Sequence, residues 1–211
     1  MKKQTRLLVS AVLLAAFALW TILLCFVDVQ AIGPLDSAVG MATINGFFHR
    51  LTGVHMTLYT LTDIVSIVPL GLVCCFGALG LWQWICRKSI LKVDADLRAL
   101  GIFYLLVLGV FIFFECVVIN SRPVLINGCL EASYPSSTTM LALCVLPAAA
   151  MQLKRRLPRS ALRRLAVAAC LLLAALMLAG RLLSGVHWLT DIIGGVLASG
   201  GLVALYAALI Q

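Results

Sequence analysis

The chain has 211 residues, 63% of them apolar and only 11% charged, with a mean hydropathy of +1.11 and a formal net charge of +8. Soluble domains average roughly 45–50% apolar and about 25% charged residues, so these values exclude a soluble globular protein and indicate an integral membrane protein. The length suits about six spans of ~20 residues with their connections and leaves no room for a separate soluble domain, so residues 1–211 are expected to form one six-span, all-α domain.

Lys2, Lys3 and Arg6 precede an apolar run from Leu7 to Val27. Val29-Gln30-Ala31 resembles a small-residue cleavage site, but the run exceeds the ~7–15 residues of a signal-peptide core, so a retained first span is expected. Gly33 and Pro34 break the helix, and Asp36 or Ser37 can cap a new one. Ile44, Phe47, Phe48 and Leu51 then recur at helical spacing, which predicts a short helix lying in the interface or covering the bundle. The second span is expected over Thr57–Trp84, with Asp63 near its start as a solvated or backbone-bonded carboxylate. The third runs over Leu100–Ile119 with Glu115 and Cys116 near its end, the fourth over Thr139–Leu153, the fifth over Leu165–Leu183 and the sixth over Trp188–Ile210. Six of the eight cysteines fall in or at the ends of spans as small apolar fillers. Cys116 and Cys129 fall toward one face and could pair in an oxidising compartment.

Charge orients the six spans. Three Lys or Arg lie at the N-terminus, four in 87–98 and six in 154–164, so 13 of the 16 share one side. By the positive-inside rule that side is cytoplasmic, with both termini there, and the plasma membrane is the expected location. The cations are split among three short loops flanked by spans, which fits attraction to anionic lipid and not nucleic-acid binding. No matched pair of broken helices marks the inverted repeats of a transporter.

The same topology brings the loop 120–138 and the stretch 181–191 to the outer surface. Arg122, Ser136, Ser137, Thr138, Arg181, His187 and Asp191 can therefore converge between spans three to six. An Arg, a His and an Asp beside hydrocarbon are costly and mark a functional site by default. His187 and Asp191 are four residues apart, on one face of a helix that starts at or before His187. A carboxylate there can fix the imidazole tautomer of a nucleophile or base. Arg122 and Arg181 present planar forks that suit a phosphate, and the start of the fourth span favours an anion. No His/Cys/carboxylate cluster stands at metal-ligand spacing.

These residues resemble the type 2 phosphatidic acid phosphatase superfamily, also known for its haloperoxidases, whose integral-membrane members share a six-helix topology. The family pattern has three parts: Lys, six residues, Arg-Pro; then Pro-Ser, any residue, His; then Ser-Arg, five residues, His, three residues, Asp. Arg122-Pro123, Pro135-Ser136 and the set Arg181, His187, Asp191 match it in order and sidedness. The resemblance implies that His187 attacks phosphorus and becomes a phosphohistidine, that Asp191 orients it, and that Arg122, Ser136 and Arg181 hold the phosphate oxygens. It implies chemistry that needs no metal or cofactor, in keeping with the missing ligand cluster, and lipid phosphate substrates: phosphatidic acid, phosphatidylglycerol phosphate or polyprenyl diphosphates.

Three positions depart from the pattern: Glu115 replaces the Lys, Thr138 the second-motif His, and Gly180 the Ser. The missing His would protonate the leaving oxygen, a contribution of ~10²–10⁴-fold. A diphosphate suffers least, because its leaving phosphate monoester has a second pKa of roughly 6. His55 or a protonated Glu115, with Ser137 and Thr138 nearby, are the auxiliary candidates, and Glu115 could instead pair with Arg122 or Arg181. Two functions follow: an outward-facing lipid phosphatase, or a catalytically impaired relative that binds lipid phosphates or a protein partner.

Overall fold

The computed structural model describes residues 2–210. Among the described residues, six helical segments are long and apolar enough to cross a membrane. They are α1 (Lys3–Phe26), the pair α3 (Met56–Val65) and α4 (Ile67–Arg87), α5 (Ala95–Cys116), α6 (Ser137–Arg156), α7 (Ser160–Ser184) and α8 (Leu189–Leu209). A seventh, α2 (Ala42–Thr52), realises the short loop helix expected around Ile44–Leu51. Before it lies a small hairpin of β1 (Gln30–Ala31) and β2 (Ala38–Val39), with Gln30 opposite Val39.

The second span is broken where the sequence suggested continuity. Pro69 has no N–H to give to the carbonyl of Val65 and its ring crowds that position. The Ser66 hydroxyl bonds back to the Asp63 carbonyl at 2.5 Å, which also weakens a helical ladder. The two effects fall at Ser66, between α3 and α4. They leave α3 as a separate ten-residue element at the end of the bundle that carries the polar loops.

The central helices are α6 and α8, packed on each other, on α7 and on α1. Small residues on α8 permit this: a Cβ at Gly201 would come within 2.7 Å of the Leu14 side chain, and one at Gly194 within 2.4 Å of the Tyr134 ring. Close approach of small residues is the main source of association where lipid and side chain are equally apolar. Met140, Leu146, Met177, Ala198, Leu202 and Tyr206 form the shared core. Large apolar residues such as Leu8, Leu19, Leu105 and Leu172 stay exposed around the rim, which is costly in water but natural against lipid.

At the end opposite the polar loops, Arg156 reaches Asp96 at 3.0 Å and Asp94 at 3.2 Å, while Arg87 holds Asp94 at 2.8 Å. The Gln83 amide, followed by the Arg87 side chain, holds the Asp94 carboxyl down to about 2. This cluster ties the connection 88–94 to the end of α6. Arg6 Nη1 likewise caps the carbonyl of Ala207 on α8 at 2.5 Å. Cys116 and Cys129 remain separate thiols, contrary to the pairing the sequence allowed, and the other six are free as well.

The α7–α8 turn depends on Gly185. Its φ of +68° is the left-handed region that side chains resist, and a Cβ there would fall 1.9 Å from the Gly53 carbonyl oxygen. Gly185→Ala is therefore expected to cost on the order of 1–3 kcal/mol. A thermal unfolding midpoint in detergent equal to that of the natural protein would refute this packing.

Candidate functional site

His187 sits in the four-residue turn between α7 and α8, with 4% of its surface exposed. Asp191, at the third position of α8, is fully buried, and its Oδ2 accepts the Trp188 backbone N–H at 2.9 Å. That bond fixes the carboxylate at the helix start, where a negative charge is favoured. Its Oδ2 lies 3.9 Å from His187 Nδ1, beyond direct hydrogen bonding. Ser133 closes the gap: its hydroxyl donates to Asp191 Oδ2 at 2.5 Å and stands 3.0 Å from His187 Nδ1. The expected direct His187–Asp191 bond is thus replaced by a serine bridge.

The bridge assigns the tautomer. A hydroxyl that gives its proton to Asp191 can only accept from Nδ1–H, and the Ser133 carbonyl, 3.2 Å from Nδ1, also accepts. Nε2 then keeps a lone pair, and Arg122 Nη1 donates to it at 3.2 Å. Asn120 steadies the carboxylate from the other side, its Nδ2 donating to Asp191 Oδ1 at 3.4 Å while its Oδ1 accepts from Gly40 N at 3.1 Å. Asn45 on α2 clamps the same helix start, with Nδ2 donating to Thr190 Oγ1 at 2.9 Å and Oδ1 accepting from Thr190 N at 3.2 Å.

Arg181, near the end of α7, is 1% exposed. Its Nη2 donates to Asp63 Oδ1 at 3.1 Å and to the Thr138 hydroxyl. Its Nε and Nη1 are buried without a hydrogen-bond partner. Unpaired buried donors are rare in native structures and ask for a reason; on a guanidinium, an anionic acceptor supplies one. Arg122 has an unaligned ion pair, Glu131 Oε2 lying 3.1 Å from its Nε. Both guanidinium groups stand over the ring of Tyr59 on α3, at 5.9 Å for Arg122 and 4.7 Å for Arg181.

Arg122, Thr138, Arg181, His187 and Asp191 are therefore brought together. Ser136 is not turned the same way: it is buried, its hydroxyl donates to Thr139 Oγ1 at 2.9 Å, and its N–H donates to the Asp191 carbonyl at 3.1 Å. It ties the start of α6 to the start of α8. Ser137 is half-buried and lines an apolar cavity described below. Glu115 stands exposed on α5 with no ion pair among the described residues, so the pairing with Arg122 or Arg181 is corrected. Glu131 and Asp63 fill those places; Asp63, expected as a solvated or backbone-bonded carboxylate, is exposed and also bonds Arg181. The imidazole of His55 is exposed and engages the Thr52 carbonyl at 2.9 Å.

Sequence reasoning missed Ser133, Asn120, Glu131 and Tyr59. The three loop residues carry no spacing that separates them from ordinary loop polarity. Tyr59 and Asp63 did leave a signal, since they are one helical turn apart on a span end that faces the site.

Residues 118–211 match the PAP2 superfamily. The matched region holds every residue of the three motifs except Glu115, and α3 lies outside it. Over 95% of this chain and 94% of that chain, the fold is similar to the crystal structure of a transmembrane PAP2-type phosphatidylglycerolphosphate phosphatase from Bacillus subtilis, at 21% identity and a TM-score of 0.58. The resemblance drawn from the motifs thus holds over the C-terminal part, and the likeness of fold extends to nearly the whole chain. The comparison with curated proteins gives no match.

Burial pushes the His187 imidazole down to about 4, with the Arg122 cation adding to the effect and Asp191 opposing it. The folded chain refuses a proton that the unfolded chain accepts below about 6.5, so this residue's contribution to stability is complete above 6.5 and falls as pH drops toward 4. His187→Gln is expected to lose less of its unfolding midpoint between pH 7.5 and pH 4.5 than the natural protein. Equal losses in both would show that His187 does not titrate in this way.

Proposed function

We propose that the protein is a membrane-embedded lipid phosphatase of the PAP2 type, one domain over 1–211, with its site on the extracytoplasmic face of the plasma membrane. The observation that carries this reading is the meeting of a neutral imidazole, with its lone pair on Nε2, and two arginines: Arg181, whose buried Nε and Nη1 lack acceptors, and Arg122, whose Nε faces Glu131 out of alignment. A phosphate between Arg122 and Arg181 would satisfy them and place phosphorus beside Nε2. Its oxygens would draw Arg122 Nη1 off the imidazole and free the nucleophile.

The chemistry then runs in two steps. Nε2 attacks phosphorus, an N–P bond forms, and the P–O bond to the lipid breaks; the positive charge on the imidazolium is stabilised through Ser133 by Asp191. Water then hydrolyses the phosphohistidine and returns free phosphate. No metal or cofactor enters either step.

Thr138 is bonded to Arg181 and cannot act as a strong acid, which favours a leaving group that departs unprotonated. The reading therefore leans toward a polyprenyl diphosphate, with phosphatidic acid and the phosphatidylglycerol phosphate of the structural relative as the slower class. The lipid chain has a natural path. A cavity of about 450 Å³ opens beside Ser137 and Thr138 and runs between α4, α5 and α6, lined by Leu70, Tyr104, Leu108 and Phe111.

Purified protein should release phosphate from a polyprenyl diphosphate faster than from phosphatidic acid, and His187→Ala should fall to the uncatalysed background. Thr138→His should raise the monoester rate by up to ~10²-fold, toward the range of a restored general acid. Binding of lipid phosphates with no release by any variant would replace this reading with that of a phosphate-binding relative without turnover.

A further inference from the structure

We propose that α3 supplies a positioning residue to this site: the ring of Tyr59 is the platform that holds the Arg122 and Arg181 guanidinium groups as one fork. The inference rests on the phosphate-site reading and extends it to an element outside residues 118–211.

Two guanidinium groups gathered for one anion repel each other until the anion arrives, and the repulsion is least screened where water is excluded. Without a counterweight they would splay, and each binding event would have to bring them back. The face of an aromatic ring carries negative potential and attracts cations within about 6 Å of its centroid. Tyr59 meets that condition for both, at 4.7 Å to Arg181 and 5.9 Å to Arg122. Asp63, one turn further along the same face of α3, bonds Arg181 Nη2 at 3.1 Å. Its carboxylate is 59% exposed, so it tethers the guanidinium from the water side while leaving Nε and Nη1 free.

The backbone of α7 is shaped to admit α3 at this point. Gly180 precedes Arg181, and a Cβ there would come within 2.5 Å of Thr62 Cγ2. Thr62 is flanked on α3 by the very residues in question. The glycine that departs from the family pattern thus lets α3 approach closely enough for Tyr59 and Asp63 to reach Arg181. The backbone N–H of His55 donates to the Ser184 carbonyl at 2.8 Å and pins the start of α3 to the end of α7.

The test compares the natural protein with Tyr59→Phe and Tyr59→Leu in two measurements: thermal stabilisation by inorganic phosphate, and KM and kcat for phosphate release from a polyprenyl diphosphate. Loss of the ring in Tyr59→Leu is expected to weaken phosphate and raise KM on the order of tenfold, with a smaller change in kcat. Tyr59→Phe, which keeps the ring, recovers most of that loss. Phosphate stabilisation and KM in Tyr59→Leu equal to those of the natural protein would overturn the inference. So would a Tyr59→Phe protein as impaired as Tyr59→Leu, since the hydroxyl and not the ring would then be the working part. Should Tyr59→Leu fail to fold, Tyr59→Met removes the aromatic face with a more adaptable side chain and is read in the same way. Stabilisation by phosphate without any release would sink the enzymatic reading alone, and the Tyr59 comparison would still be decided by binding. Neither stabilisation nor release in the natural protein would remove both.

Discussion

The burial of Arg181 constrains everything around it. A guanidinium that is 1% exposed at the edge of a bilayer loses most of its hydration, and the loss is tolerable only with charge and hydrogen-bond partners close by. The chain supplies some from elements distant in sequence: a carboxylate and an aromatic face from α3, and a hydroxyl from the first turn of α6. It does not supply enough to satisfy Nε and Nη1. That shortfall is what the proposed phosphate would meet, since an anion supplies the acceptors a guanidinium lacks.

The span count and approximate boundaries were legible in the sequence because they rest on hydropathy and length alone. The three-part pattern was legible because its residues are fixed by spacing. What escaped depends on tertiary approach. Ser133 stands between His187 and Asp191 only because the loop before α6 folds back over the start of α8. Glu115, which spacing placed at the site, lies exposed on α5, while Glu131 reaches Arg122 from within the loop. A helical register tells which residues share a face, but not which loop closes on that face. The break at Ser66 was readable in principle from Pro69, although long apolar runs often tolerate prolines.

The break has a consequence for the site. Beyond the break at Ser66, α3 packs mainly on α7. Two departures from the family pattern, Gly180 and Thr138, then share one arrangement with α3. Gly180 admits α3, Tyr59 and Asp63 engage Arg181, and Thr138 occupies the remaining position on the same guanidinium nitrogen. A neutral histidine at 138 could accept from that nitrogen only through its unprotonated ring nitrogen, and a protonated one would set a cation against it, whereas the threonine hydroxyl accepts without charge.

The resting state of the nucleophile follows from the same electrostatics. An imidazole beside two guanidinium groups is held neutral, and burial presses in the same direction. Neutrality alone would leave Nε2 open to any proton source, but Arg122 Nη1 covers it. In the proposed reaction, a donor drawn away by phosphate oxygens would couple exposure of the lone pair to arrival of the substrate's charge. Water, which carries no such charge, cannot draw Arg122 off with comparable strength. On that proposal the site would select anions before any contact with the lipid chain, and the apolar cavity between α4, α5 and α6 would need only to admit a tail, not to recognise the headgroup.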